Sequence, residues 1–319
     1  MISFSTDSTR PQDRFDHWRE ERSKALFGVT IELEPERRAA FEGHFSAVGI
    51  GCATLAEMTA SSYVVSRTRA DIARIAADSL SIGHQIRGPG WMDTGDDRVH
   101  FLREGGFAVS YSDLPFTGTP KRTDGFHFRS LRLPLAAFPD LVKPARQLAA
   151  APAAGSPQLE SLFSAAFEAL AAEGKDWPDA QSALRHIAQL ALLLRGSVEA
   201  GTGRSRAALR FGQFHAARRL IAANLHRPDL SPEMIADALA ISLRQLHVLF
   251  EPTGVSCART ILGMRLRQAR SRLAVRSGET VTQIAFACGF HSIATFYRVF
   301  HAAYGIAPGD VRAGAAVEP

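Results

Sequence analysis

The sequence predicts an α+β protein in two parts. A small β-barrel or sandwich with helices after it is followed by an all-α domain of two helix-turn-helix units joined by a long helix. Three observations carry this. Short strand-like segments separated by Gly, Pro and Asp fill residues 41–135, helical periodicity takes over after residue 136, and from residue 207 a capped pair of helices occurs twice. At 319 residues the chain is long for one typical domain, so two are expected.

The strands come first. "FSAVGI", "SYVVSRT", "SLSIGHQI", "RVHFL", "GFAVSYS" and "FHFRSLRL" are short and bounded by turn residues. In "GFAVSYS", Phe107, Val109 and Tyr111 alternate with Ala108, Ser110 and Ser112, which is the period of a strand. At least six such segments suit a barrel or sandwich. Beyond them, Leu159, Leu162, Phe163 and Leu170 share one helical face, and Leu184, Ile187, Ala191 and Leu194 share another. Helices in that place either cover the barrel or pair with a second subunit.

The stretch "RGSVEAGTGRSR", residues 195–206, is rich in Gly, Ser and Thr, and the charge changes there. From residue 204 onward there are 15 Arg, no Lys and 7 Asp or Glu, a net of +8; residues 1–203 hold 22 basic and 25 acidic side chains, a net of −3. We therefore expect a first part over 1–200 (barrel about 41–135, helices about 136–197), a linker at 201–206 and a second part over 207–319. A basic domain on a mildly acidic body is the footprint of a partner that carries phosphate, or else a solvated basic face. The start "MISFSTDSTRPQDRFDHWRE" has no apolar segment of the kind a signal peptide needs. The longest apolar run, "IAQLALLLRGSV", is broken by Arg195, so no membrane association is expected. Cys52, Cys257 and Cys288 are scattered and odd in number, which suits a reducing cytoplasm.

After the linker every element reads as helix. Residues 207–225 form one. Ser231 caps the next, with Pro232 and Glu233 in its first turn. Ser242 with Gln245, and Thr280 with Gln283, are capping boxes. Residues 256–276 make a long Arg-rich helix, Ser292 caps "IATFYRVF", and Pro308 with "GDVR" ends the domain. "LSPEMIADALAISLRQLHVLF" and "ETVTQIAFACGFHSIATFYRVF" are then two copies of one device, with Ile235 and Ala236 matching Ile284 and Ala285. Within the second copy, Cys288, Gly289, Phe290 and His291 read as the turn: a small core residue, a residue with positive φ, an apolar plug, and a residue facing solvent or phosphate. Four zinc ligands cannot be assembled, there is no Cys-x-x-Cys, and no metal or cofactor is expected.

A connector of about 31 Å matches one turn of B-DNA, so the two second helices suit successive major grooves. Their first exposed residues face the bases: Leu243, Arg244, His247 and Val248, then Ile293, Ala294, Thr295 and Arg298. Arg244 suits a bidentate grip on guanine. Ile293 and Ala294 cannot hydrogen-bond through their side chains, so the second unit relies more on backbone and shape. Ser242, Ser292 and Thr295 lie at helix N-termini, where backbone N–H groups suit phosphate. Leu246, Leu249, Phe250, Ile284, Phe296 and Phe300 are core.

The pattern "RLRQARSRL…VTQIAFACGFHSIATFYRVFHAAYGIAPGDVR" resembles the C-terminal signature of the AraC-type (arabinose-operon regulator) transcription factors over roughly residues 205–315. "FDHWRE", "VVSRT" and "FHFRSLRLPLAAF" look more loosely like the cupin-like sensor domain of one subgroup of that family. The resemblance implies an N-terminal cupin-like β-barrel that takes a small-molecule effector, and a homodimer formed through the helices after it. It also implies double-stranded promoter DNA and RNA polymerase as partners, with activation as the commoner outcome. It puts base contacts at Arg244, His247 and Val248, although relatives often carry a polar or basic residue at the last. Trp91, Phe101, Phe107, Tyr111, Phe126 and Phe128 are the candidates to line the effector pocket. Cupin enzymes hold a metal with a His-x-His pair; here His84, His100 and His127 stand apart. No Gly-rich phosphate loop or Gly-x-Ser-x-Gly turn occurs either, so the expectation is a regulator and not an enzyme. The alternatives are a cupin-like enzyme with a helical appendage, or a regulator controlled by a protein partner.

Overall fold

Alternating apolar side chains draw the N-terminal strands into two antiparallel sheets. The computed structural model describes residues 2–21, 28–95, 98–120, 125–275 and 278–314, and the chain divides into two units, Met1–Gly212 and Gln213–Pro319. In the first unit the strands are β1 (Ile2–Ser5), β2 (Thr30–Glu32), β3 (Gly43–Ile50), β4 (Ala53–Ala60), β5 (Val64–Arg67), β6 (Ser79–Arg87), β7 (Gly90–Asp93), β8 (Val99–Leu102), β9 (Phe107–Tyr111), β10 (Phe116–Pro120), β11 (Phe126–Pro134) and β12 (Ala151–Pro152). One sheet has the order β1-β3-β4-β11-β6-β9-β12, the other β2-β5-β10-β7-β8. The six segments read from sequence are β3, β5, β6, β8, β9 and β11. β4, "ATLAEMTA", escaped that reading because Ala, Glu and Met favour helix; pairing with both β3 and β11 overrides the preference.

Each strand of the larger sheet has two faces. Leu80, Ile82, Phe107, Val109, Leu131 and Leu133 point to one side. There they pack with Phe163, Phe167, Leu170, Leu184, Ile187 and Leu190 of the two long helices that follow. With α1 (Arg14–His17), α2 (Pro35–Arg38), α3 (Arg69–Arg74) and α4 (Val142–Ala145) as short pieces, those long helices are α5 (Pro157–Glu173) and α6 (Ala180–Leu194). They cover the sheet. Arg195 ends α6 because its guanidinium donates to the carbonyls of Val109, Ala149 and Ala151 at the edge strands. That is why a charge interrupts the longest apolar run.

The second unit is helical: α7 (Gly203–Ala223) crosses into it, followed by α8 (Pro232–Ala238), α9 (Leu243–Phe250), α10 (Cys257–Ala274), α11 (Val281–Ala287), α12 (Ile293–Tyr304) and α13 (Pro308–Gly314). Two ends differ from the sequence reading. α7 starts at Gly203 rather than 207, because the Thr202 hydroxyl accepts from the Ser205 N–H at 3.1 Å and caps it. Pro308 opens a helix rather than closing the domain, since a first-turn proline loses no helical hydrogen bond and Asp310 accepts from the Ala307 N–H at 2.9 Å. The core of this half joins Leu266, Ala269 and Leu273 of α10 to Ile284, Ala285, Cys288, Phe290, Phe296 and Phe300. α10 has 18 residues, about 27 Å of helix.

Candidate nucleic-acid interface and candidate ligand cavity

Ser231, Ser242, Ser256, Thr280 and Ser292 each accept a backbone N–H three residues on, so local chemistry alone starts five helices. Both capping boxes, Ser242 with Gln245 and Thr280 with Gln283, are formed. Gly289 ends α11 at φ +79°, and a Cβ there would stand 2.2 Å from the Leu225 carbonyl oxygen. Phe290 plugs the turn, its ring 4.9 Å from that of Phe296. Cys288 is fully buried, and burial raises its thiol pKa; burial also pushes the Cys257 thiol up to about 11. Both thiols therefore stay protonated at neutral pH, where the reactive thiolate is scarce. Among the described residues no three His, Cys, Asp or Glu side chains gather around a point where a metal would sit.

The second helix of each unit turns one face inward and one outward. Leu246, Leu249 and Phe250 are buried on α9; Phe296 and Phe300 are buried on α12. Ser242, Arg244, His247 and Val248 are exposed on the first, and Ala294, Thr295 and Arg298 on the second; Leu243, Ser292 and Ile293 are half-buried at the rim. Superposing the repeat by its cores sets Leu246 on Phe296 and Phe250 on Phe300. Arg244 then corresponds to Ala294, Val248 to Arg298, and His247 to Tyr297, which is 41% exposed. Sequence reasoning missed Tyr297, although the internal repeat marks its place.

Not every arginine of this half is at the surface for a partner. Arg265 donates to the carbonyls of Leu225 and Arg227, Arg272 pairs with Glu279, and the Arg270 guanidinium lies 4.7 Å from the centre of the Tyr304 ring. These three hold α10 to its neighbours. Arg244, Arg259, Arg267 and Arg298 are exposed.

In the first unit, a cavity of about 200 Å³ lies between the two sheets. Trp91, Phe126 and Phe128 line it, as the sequence suggested. Phe101, Phe107 and Tyr111 do not. Phe107 stacks on His84 at 4.2 Å and packs on Phe163 and Phe167, on the helix-covered face. The Tyr111 hydroxyl donates to Asp78 at 2.9 Å on that side too, and burial with the Asp78 bond pushes its pKa up to about 12. Phe101, on edge strand β8, is 61% exposed. The reason is the strand period: in β9 the large residues face the helices, so the small ones, Ala108, Ser110 and Ser112, face the cavity. Gly83 serves the same end, for a Cβ there would stand 2.5 Å from the Phe128 ring.

The histidines lie elsewhere. His84 Nδ1 is 2.9 Å from Glu168, and His127 Nε2 is 2.6 Å from Glu57. Arg129 bridges the two carboxylates at 3.0 and 3.1 Å. This cluster pins α5 to the sheet face opposite the cavity, while His100 sits on β8.

Two family models match the chain: one described as "AraC-like ligand binding domain" over residues 66–194, and one described as "Helix-turn-helix domain" over residues 235–314. Transcriptional activator RhrA of Rhizobium meliloti (strain 1021) is 35% identical over 91 residues, 28% of this chain and 29% of that one. HTH-type transcriptional activator RhaS of Escherichia fergusonii is 41% identical over 86 residues, 27% of this chain and 31% of its own. Transcriptional activator NphR of Rhodococcus sp is 33% identical over 95 residues, 30% of this chain and 28% of its own. The chain thus spans about three tenths of the length of these relatives. The crystal structure of the AraC-like transcriptional activator CuxR shares the fold over 90% of this chain and 99% of that one, with a TM-score of 0.53 and 21% identity.

Proposed function

Because the chain belongs to the AraC-type family of transcription regulators, we propose that it binds promoter DNA through its two helix-turn-helix units and answers to a small molecule held in the N-terminal cavity. The observation that carries this is the pair of second helices, each buried on one side and open on the other, in a unit rich in arginine. In the first helix, Ser242, Leu243, Arg244, His247 and Val248 form the reading surface; in the second, Ser292, Ile293, Ala294, Thr295 and Arg298 do so, and Tyr297 joins them. Each helix offers one guanidinium and one apolar contact, in opposite order along its length. Residues 1–200 form the sensing part and 207–319 the DNA-binding part. The protein acts as an activator, as its relatives' names say of them, and not as an enzyme. A homodimer paired through α5 and α6, contact with RNA polymerase and a cytoplasmic location complete the reading. No described helix is long and apolar enough to cross a membrane.

The test is retention of genomic DNA fragments by the purified full chain at two salt concentrations, followed by sequencing. A few fragments with paired elements about one helical turn apart, retained at both salts, support the reading. Retention of all fragments, lost as salt rises, reduces it to general phosphate attraction.

A further inference from the structure

The register of the larger sheet arranges the cavity wall in rows. Across β11, β6 and β9, Arg132 stands beside Ser81 and Ser81 beside Ser110. The next row is Ser130, Gly83 and Ala108; beyond it come Phe128 and Gln85. Neighbours within a row are about 5 Å apart at Cβ, and rows on one face are about 7 Å apart. One end of the wall is therefore a cation flanked by two hydroxyls, the middle is small, and the other end is aromatic. Among the described residues none bonds to the Ser81 or Ser110 hydroxyl.

Charge selects among ligands. The described lining has two arginines and no carboxylate. Arg67 is matched inside the protein: it is buried, 2.8 Å from Asp113, and donates to the carbonyls of Gly28, Ile75 and Ser112. Arg132 adds a cation to a wall otherwise made largely of Met58, Tyr63, Val65, Trp91 and Phe116. A guanidinium in such surroundings favours an anion and repels an amine. So much apolar wall leaves a sugar's hydroxyls short of partners. Size is the last constraint: roughly 150 Å³ holds benzene, so about 200 Å³ holds one ring with a short substituent.

We infer that the cavity takes a single-ring organic monoanion, its carboxylate on the Arg132, Ser81 and Ser110 row and its ring over Gly83 against Phe128. This rests on the reading of the N-terminal unit as the sensing part. The carboxylate accepts from the Arg132 guanidinium and from both serine hydroxyls.

Benzoate, benzamide, benzylamine and glucose titrated calorimetrically into the full chain test the class. Benzoate is expected to bind about tenfold or more tightly than benzamide, with benzylamine and glucose silent. Arg132→Gln should bring benzoate down to the level of benzamide and leave benzamide unchanged. Ser81→Ala keeps the charge and should weaken benzoate alone by a few fold, which serves if Arg132→Gln fails to fold. Equal binding of acid and amide, benzoate preference surviving Arg132→Gln, or no benzoate binding at all would each overturn the proposal. Benzoate bound as expected without altering the pattern of retained DNA would keep the ligand class and overturn the sensing role instead.

Discussion

The two helix-turn-helix units share a backbone and a core but not a surface, and their turns show why. Ala240 holds φ +52° where Gly289 holds +79°. In each unit the next residue, Ile241 or Phe290, returns its N–H to the helix it has just left, at Ala236 or Ala285. The second turn then has one more residue, His291, before its capping serine. Glycine is required only in the second, where the Leu225 carbonyl closes on the turn; Ala240 is exposed and bears the left-handed strain with a methyl group. The capping boxes sit on the second helix of the first unit and on the first helix of the second. A repeat of this kind repeats what packing demands and leaves the rest free.

Gly289→Ala is the sharpest way to break the comparison. A Cβ 2.2 Å from a carbonyl, added to the backbone strain, should cost about 3 kcal/mol in urea unfolding. Ala240→Gly should stay within about 1 kcal/mol of the parent, because relieved strain offsets the added freedom of the unfolded chain. Equal effects would sink the argument. Next in size, Arg244→Ala and Arg298→Ala should each weaken specific DNA binding by about 1–3 kcal/mol and relax one base position. Val248→Ala and Ala294→Gly should change little, and a mobility-shift series over single-base variants of one retained site reads all four. Affinity and preference untouched by Arg244→Ala would remove it from the reading surface. Ser242→Ala and Ser292→Ala should each lower stability by about 1 kcal/mol, the first somewhat more because it also breaks a box.

The smallest effect separates the two units. Burial opposes ionisation of Glu57, but the His127 and Arg129 contacts outweigh it and lower its pKa. The His84 contact lowers that of Glu168, against burial, with Arg129 helping. With both folded pKa values depressed, their stabilisation is full above the ordinary Glu value and fades as pH falls through the folded values. The three tryptophans, Trp18, Trp91 and Trp177, all lie in the first unit, so their fluorescence follows that unit alone. Its urea midpoint should hold steady from neutral pH and drop below the ordinary carboxylate range, less steeply in Glu57→Gln. Identical pH profiles for parent and variant would show that the cluster contributes nothing.

Much of the second unit was legible because its signals are local. A capping serine, a glutamine three residues on and an apolar stripe act within one or two turns, and the repeat confirmed them against each other. The cavity was less so. Trp91, Phe126 and Phe128 were recognised as large aromatic residues in strands, and so were Phe107 and Tyr111, but size does not say which side of a sheet a residue faces. β4 was lost because its residues prefer helix, and only two neighbouring strands hold it extended.

The sequence by itself determined the order of the elements, the two capped helix pairs, the place of the charge and the inward faces of α9 and α12. Each of these depends on residues within one or two helical turns of one another. Tertiary structure alone decided that α5 and α6 cover the larger sheet, and with it which half of every strand became core. That choice turned the serines, Gly83 and Arg132 towards the cavity. The alternation along β9 was readable from the start, but its sense was fixed only when one face met the helices and the other met a second sheet.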